Sequence, residues 1–164
     1  MKETKKEDEE LELDSYIYGE EQVVIKTHKR INQALSGEIL KHEVGYVELL
    51  LTTTSEMLAD EFGLIHGGFI FSAADYAAMV AVNEKNVVLV ASDCQFLSPV
   101  KFHDEVRVVA RVRNKEGRKR NVHVEAFVLE IKVFEGEFKT VITDKHILKL
   151  KLFEDEKEDG EGEL

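Results

Sequence analysis

Cysteine, proline and long apolar runs are scarce in this chain of 164 residues, and each scarcity removes a class of protein. The single cysteine, Cys94, excludes an internal disulfide and suits a reducing compartment. It lies in the apolar stretch 87–94, which reads as a buried strand, so an inert core thiol is expected rather than a nucleophile. The longest apolar stretch, residues 77–82 with its flanks, is interrupted by Asp75 and Asn83, far short of the roughly 20 residues that a bilayer span needs. The first residues carry Lys and Glu rather than a signal-peptide pattern, so neither membrane insertion nor secretion is expected and the cytoplasm is the expected location. His28, His42, His103, His123 and His146 are scattered without metal-ligand spacing, and no metal is expected.

Positive charge is also in short supply. The net charge is -11, and residues 1–14 and 154–164 together account for all but one unit of it. The body between them is near neutral and free to carry a local basic site, whereas a broad basic face for nucleic acid is not supported. The expected organisation is an acidic tail over 1–14, one domain over 15–153 and a second acidic tail over 154–164, with 43% hydrophobic residues to supply a single core.

Residues 28–35 form a candidate short helix stopped by Gly37. Residues 38–54 read as two strands meeting at Val44 and Gly45. Residues 67–82 are apolar almost all the way round, the pattern of a helix enclosed by its own protein. The exceptions Ser72, Asp75, Tyr76 and Asn83 follow helical spacing, so a buried helix with one polar stripe is expected. Four strands follow: 87–97, apolar enough to be covered on both faces, then 104–113, then one around Val122 to Val128, and a last one over 138–152. The fold class is therefore α+β, an antiparallel sheet on one long helix. A helix apolar on every side needs more cover than one flat sheet gives, so the sheet must curl around it and a second subunit is expected to complete the cover.

Residues 63–75 read Gly-Leu-Ile-His-Gly-Gly-Phe-Ile-Phe-Ser-Ala-Ala-Asp, followed by Asn83 and later by Phe96-Leu-Ser-Pro. This pattern resembles the hotdog-fold acyl-CoA thioesterases, most closely their phenylacetate-pathway-like branch. The resemblance implies a hotdog fold, an antiparallel sheet wrapped around one central helix, with active sites between the subunits of a homodimer or a dimer of dimers. It implies Asp75 as the carboxylate that activates water or attacks the thioester, the Gly67 amide as oxyanion donor, and His66 as a helper at the helix entry. Gly68, Ser72, Tyr76, Asn83 and Asp60 are candidate substrate contacts. The substrate would be acyl-CoA, with no separate cofactor.

These residue types suit the chemistry. Glycines where a helix begins offer unclaimed N–H groups at the positive end of its dipole, without a side chain to block the approach of an oxyanion. A carboxylate on an apolar helix is costly unless it is satisfied or functional. Arg111, Arg113, Lys115, Arg118, Lys119 and Arg120 cluster in ten positions, and Arg118, Lys119 and Arg120 are the candidate contacts for the phosphates of CoA. A non-catalytic acyl-CoA sensor is the rival reading. A dehydratase or hydratase is less well supported, because that branch places a Pro-containing turn beside its His and none lies near His66.

Overall fold

The structure is a computed structural model that describes residues 23–150; the acidic segments expected as tails lie outside the described residues. A single helical turn, α1 (Gln33–Ser36), is capped by Asn32, whose side chain accepts the Ala34 N–H, and is stopped by Gly37 at φ +99°. The hairpin β1 (Glu38–Glu43) and β2 (Tyr46–Thr52) turns on Val44 and Gly45, where φ of +73° favours glycine. The long helix α2 (Gly67–Val82) follows, then β3 (Val87–Phe96), β4 (Glu105–Glu116), β5 (Lys119–Val128) and β6 (Ile131–Ile142).

The six strands form one antiparallel sheet in the order β1-β2-β4-β5-β6-β3. α2 carries the chain from β2 to the far edge, so the helix lies across the sheet and β4 returns beside β2. Alternation decides the inner face. Val47, Leu49 and Leu51 of β2, Val106, Val108 and Ala110 of β4, Val122, Val124 and Ala126 of β5, and Phe134 and Phe138 of β6 are all sealed beneath the helix. On the helix side Ala73, Ala74, Ala77, Ala78 and Ala81 are small enough to let it sit close to the strands. Register slips at Ile39/Lys41, Leu89/Ala91, Val112/Asn114 and Ala126/Phe127 bend the strands, which is how one sheet curls about one helix. The outer face is polar, and two arginines lie over aromatics there: Arg111 is 4.7 Å from the Tyr46 ring centroid and Arg107 is 5.1 Å from that of Phe127.

Three expectations need correction. β3 is not covered on both faces. It is an edge strand paired with β6 alone, and Val90 and Phe96 are more than half exposed. Hydrophobic pattern reports that a strand wants cover, not which chain supplies it. The last strand is β6 at Ile131–Ile142, not 138–152, and residues 143–150 form turns and a short 3-10 helix. The turn into β6 passes through Leu129 at φ +52°, without the Gly or Pro that marks most turns. The candidate helix over 28–35 shrinks to the one turn of α1. Among the described residues no helix is long and apolar enough to cross a membrane.

Gly136 tests the β3–β6 register. A Cβ there would stand 2.6 Å from the Cys94 Cβ and 3.1 Å from the Asp93 carbonyl oxygen. Gly136→Val is therefore expected to lower stability by about 1–3 kcal/mol, read as a lower urea midpoint with an unchanged slope.

Candidate active site

The entry to α2 is fixed before the helix starts. Asp60 Oδ1 accepts the N–H groups of Phe62 and Leu64, and Gly63 follows at φ +94°. The Ile65 N–H then donates to the Val100 carbonyl and the His66 N–H to that of Met57, both at 2.8–2.9 Å. These bonds pin the last residues of the loop against the rest of the chain and aim the helix. Asp60 is thus a turn former in this chain.

His66 is the N-cap. Its Nδ1 accepts the Gly68 N–H at 2.8 Å, so in the neutral ring the proton sits on Nε2. The Gly68 amide is thereby engaged by His66. The Gly67 N–H has no hydrogen-bond partner among the described residues, which leaves it as the available donor at the positive end of α2. The Phe96 ring lies against Gly67, so that a Cβ there would stand 3.2 Å from a ring carbon. The sequence motif gives Phe96 no role; its ring edges onto buried Phe134 at a centroid distance of 5.2 Å, which holds it over the helix start.

Asp75 lies two turns further along α2. It is half-buried, its Oδ1 is sealed from solvent, and that oxygen has no hydrogen-bond partner among the described residues. Burial alone pushes its carboxyl up to about 6. The polar side chains next to it on the helix are committed elsewhere. Ser72 Oγ is 2.9 Å from Ser36 Oγ, and the buried Tyr76 hydroxyl lies beside the Gln33 side chain. A structural carboxylate is normally found inside a completed polar network, and this one is not.

Asn83 closes the helix in the left-handed conformation at φ 52°. Its Oδ1 accepts the Lys26 N–H at 2.8 Å and its Nδ2 donates to the Val24 carbonyl at 2.9 Å. Both polar ends tie the incoming chain to the end of α2, a structural use for a residue carried as a substrate contact. The basic hairpin is also partly engaged. Arg118 pairs with Asp144 at 2.7 Å, and Arg120 donates to the carbonyls of Gly117 and Lys119. Lys119 lines a shallow concavity with Asn114, Lys115, Glu116 and Asn121 and has no ion pair among the described residues.

The sequence model of the family described as the thioesterase superfamily matches residues 62–135. The chain is 42% identical to the uncharacterized protein PH1136 of Pyrococcus horikoshii, whose crystal structure matches with a TM-score of 0.76 over 77% of this chain and 98% of that one. Over 93 residues it is 33% identical to the acyl-coenzyme A thioesterase PaaI of Escherichia coli, 56% of this chain and 65% of that one. Over 112 residues it is 57% identical to the methylthioribose-1-phosphate isomerase of Aquifex aeolicus, 68% of this chain and 25% of that protein. Transcription factor FapR of Staphylococcus aureus is 31% identical over 87 residues, 53% of this chain and 47% of that one. The chain thus spans a quarter of the Aquifex protein and about half of FapR. With its long helix α2 wrapped by an antiparallel sheet and its Gly-Gly helix start, this chain belongs to the thioesterase superfamily of hotdog-fold proteins.

The Asp75 environment makes a thermodynamic statement. Folding raises its carboxyl above the unfolded value, so the folded wild type is favoured while the group is protonated and loses that advantage as pH rises through about 6. Asp75→Asn removes the ionisation. It is expected to match the wild type below about pH 4 and to exceed it at about pH 8 by on the order of 1–2 kcal/mol, solvent at the half-buried side chain keeping the gain below the full shift. Urea unfolding at the two pH values measures the difference.

Proposed function

We propose that this protein hydrolyses the thioester of an acyl-CoA or acyl-carrier conjugate to free acid and thiol. The observation that carries the reading is the sealed, unpartnered carboxylate oxygen of Asp75 on a helix that opens with an unclaimed amide at Gly67. The thioester carbonyl oxygen accepts the Gly67 N–H, which stabilises the negative charge that forms there as the carbonyl carbon is attacked. Asp75, held near 6 by burial, is largely ionised at neutral pH and still basic enough to take a proton from water. The tetrahedral intermediate collapses, the C–S bond breaks, and the thiolate receives that proton. Direct attack by Asp75 gives a mixed anhydride that water then opens, with the same products.

Helix geometry adds a constraint. Eight residues separate Gly67 from Asp75, and eight residues of α-helix rise about 12 Å, too far for both to reach one carbonyl from the same helix. The reading therefore requires two copies, with Asp75 of one subunit facing Gly67 of another. The exposed apolar residues fit this demand. Phe62, Leu64, Val90, Phe96 and Leu97 lie around the helix entry and on or just past the edge strand β3, and a homodimer, alone or paired into a dimer of dimers, would cover them. Lys119, with Arg118 and Arg120, is the candidate contact for the CoA phosphates.

Free-thiol release from a panel of short, medium, long and aryl acyl-CoAs tests the activity. Asp75→Ala is expected to remove it, and kcat/KM of the wild type is expected to rise with pH about a midpoint near 6 as Asp75 loses its proton. Inertness across the panel, or equal activity in the variant, rules the enzyme out. The two-copy arrangement has its own readout. Asp75→Ala and Gly67→Val chains, each inactive alone, form mixed dimers with one intact site when co-expressed, and about a quarter of wild-type activity should return. The likeness to FapR favours a sensor as the second reading; acyl-CoA that raises the melting temperature without turnover by the wild type would select it.

A further inference from the structure

The outer face of the sheet carries a cluster that the thioesterase reading does not use. His123 and Glu125 lie two apart on β5, and Glu135 and Glu137 lie two apart on β6, so all four point away from α2. The register sets His123 opposite Glu137 and Glu125 opposite Glu135. Two carboxylates placed directly across a strand pair repel each other, and Lys132 is the only cation paired with them among the described residues other than the imidazole itself.

We propose that His123, Glu125 and Glu135 form a binding site for a divalent transition metal of the zinc, cobalt or manganese type. His123 Nε2 is 3.1 Å from Glu135 Oε1 and 3.7 Å from Glu125 Oε1. The longer of these is no hydrogen bond, yet the pair brackets the separation of about 3.3 Å expected between ligands of a tetrahedral ion bound at about 2.0–2.1 Å. The three donor atoms lie within 4.8 Å of one another. Lys132 Nζ contacts the other oxygen of each carboxylate, Oε2, at 2.6 Å on Glu125 and 3.5 Å on Glu135. It therefore holds both Oε1 atoms toward the imidazole rather than capping them.

The far side of the ring completes the arrangement. Glu137 Oε1 contacts His123 Nδ1, the carboxylate-to-histidine bond that fixes the tautomer in metal sites and leaves the Nε2 lone pair for the ion. In the tautomer whose Nδ1–H donates to Glu137, the Nε2 lone pair and two carboxylate oxygens converge, and a cation is what that space accepts. The His123 side chain is 12% exposed, so the ligands are partly withdrawn from competing water. A concavity of about 290 Å³ lined by Asp93, Gln95, His123, Glu135 and Glu137 opens beside them and leaves room for a fourth ligand, water or a small anion. One imidazole with two carboxylates suits zinc, cobalt or manganese better than calcium, which takes oxygen ligands alone, or copper(I), which favours sulfur.

The test is a titration of the chelator-treated full chain with Co²⁺, followed by visible absorption and calorimetry, then competition with Zn²⁺. One Co²⁺ per chain with the intense bands of four-coordinate cobalt is expected, displaced by Zn²⁺ and accompanied by a rise in melting temperature. His123→Gln and Glu135→Gln should each weaken binding by ~100-fold or more while keeping the circular-dichroism spectrum of the metal-free protein. Absence of the bands at millimolar Co²⁺ overturns the site. Equal binding by wild type and His123→Gln overturns it too, placing the metal on other acidic groups. Acyl-CoA hydrolysis is no part of the readout, so failure here and failure of the thioesterase reading are separate results.

Discussion

A helix that is apolar on every side must be covered on every side, and the other features of this fold answer that demand. The alanines of α2 bring it down onto β2, β4 and β5, and the register slips in four strand pairs bend the sheet up around it. The same demand accounts for the odd character of β3. It is as apolar as an interior strand in its first half, yet it sits at the edge with Val90 and Phe96 exposed. An edge strand of that kind is a liability for a monomer and an asset for an assembly.

Asp75 is the exception within this cover, and its position sets stability against chemistry. A carboxylate with a sealed, unpartnered oxygen disfavours the folded state whenever it is ionised, and a neighbouring hydroxyl could remove the penalty at little structural cost. Ser72 and Tyr76 are close in sequence but face Ser36 and Gln33. The group is left basic and unsatisfied, the condition in which a carboxylate is useful to a substrate and a burden to the fold. The helix entry shows the converse economy, with Asp60, His66 and the Met57 and Val100 carbonyls satisfying the loop and the Gly67 amide left over.

The two faces of the sheet obey different physics. The inner face is uniformly apolar, from Ala110 and Ala126 up to Phe134 and Phe138, because it has only to fill space against α2. The outer face is organised by charge: arginines stack on Tyr46 and Phe127, while His123, Lys132 and three glutamates of β5 and β6 form a compact ionic cluster. Strand alternation keeps these two systems apart by the thickness of one backbone, so the surface can carry polar function without disturbing the core.

Sequence alone determined what local pattern controls. The limits of α2, the hairpin at Gly45, the α+β plan of one sheet on one long helix and the conspicuous placement of Asp75 all follow from hydrophobic periodicity and glycine positions, which are properties of neighbours along the chain. The engagement of the Gly68 amide by His66, the structural use of Asn83, the unmarked turn at Leu129 and the edge position of β3 were decided only by the tertiary structure. So was the meeting of His123 with Glu135 and Glu137, whose one trace in the sequence is a pair of charged residues two apart on each strand. Each depends on which residues face each other across a turn or a strand pair, and register is set by the packing of the whole sheet rather than by any segment within it.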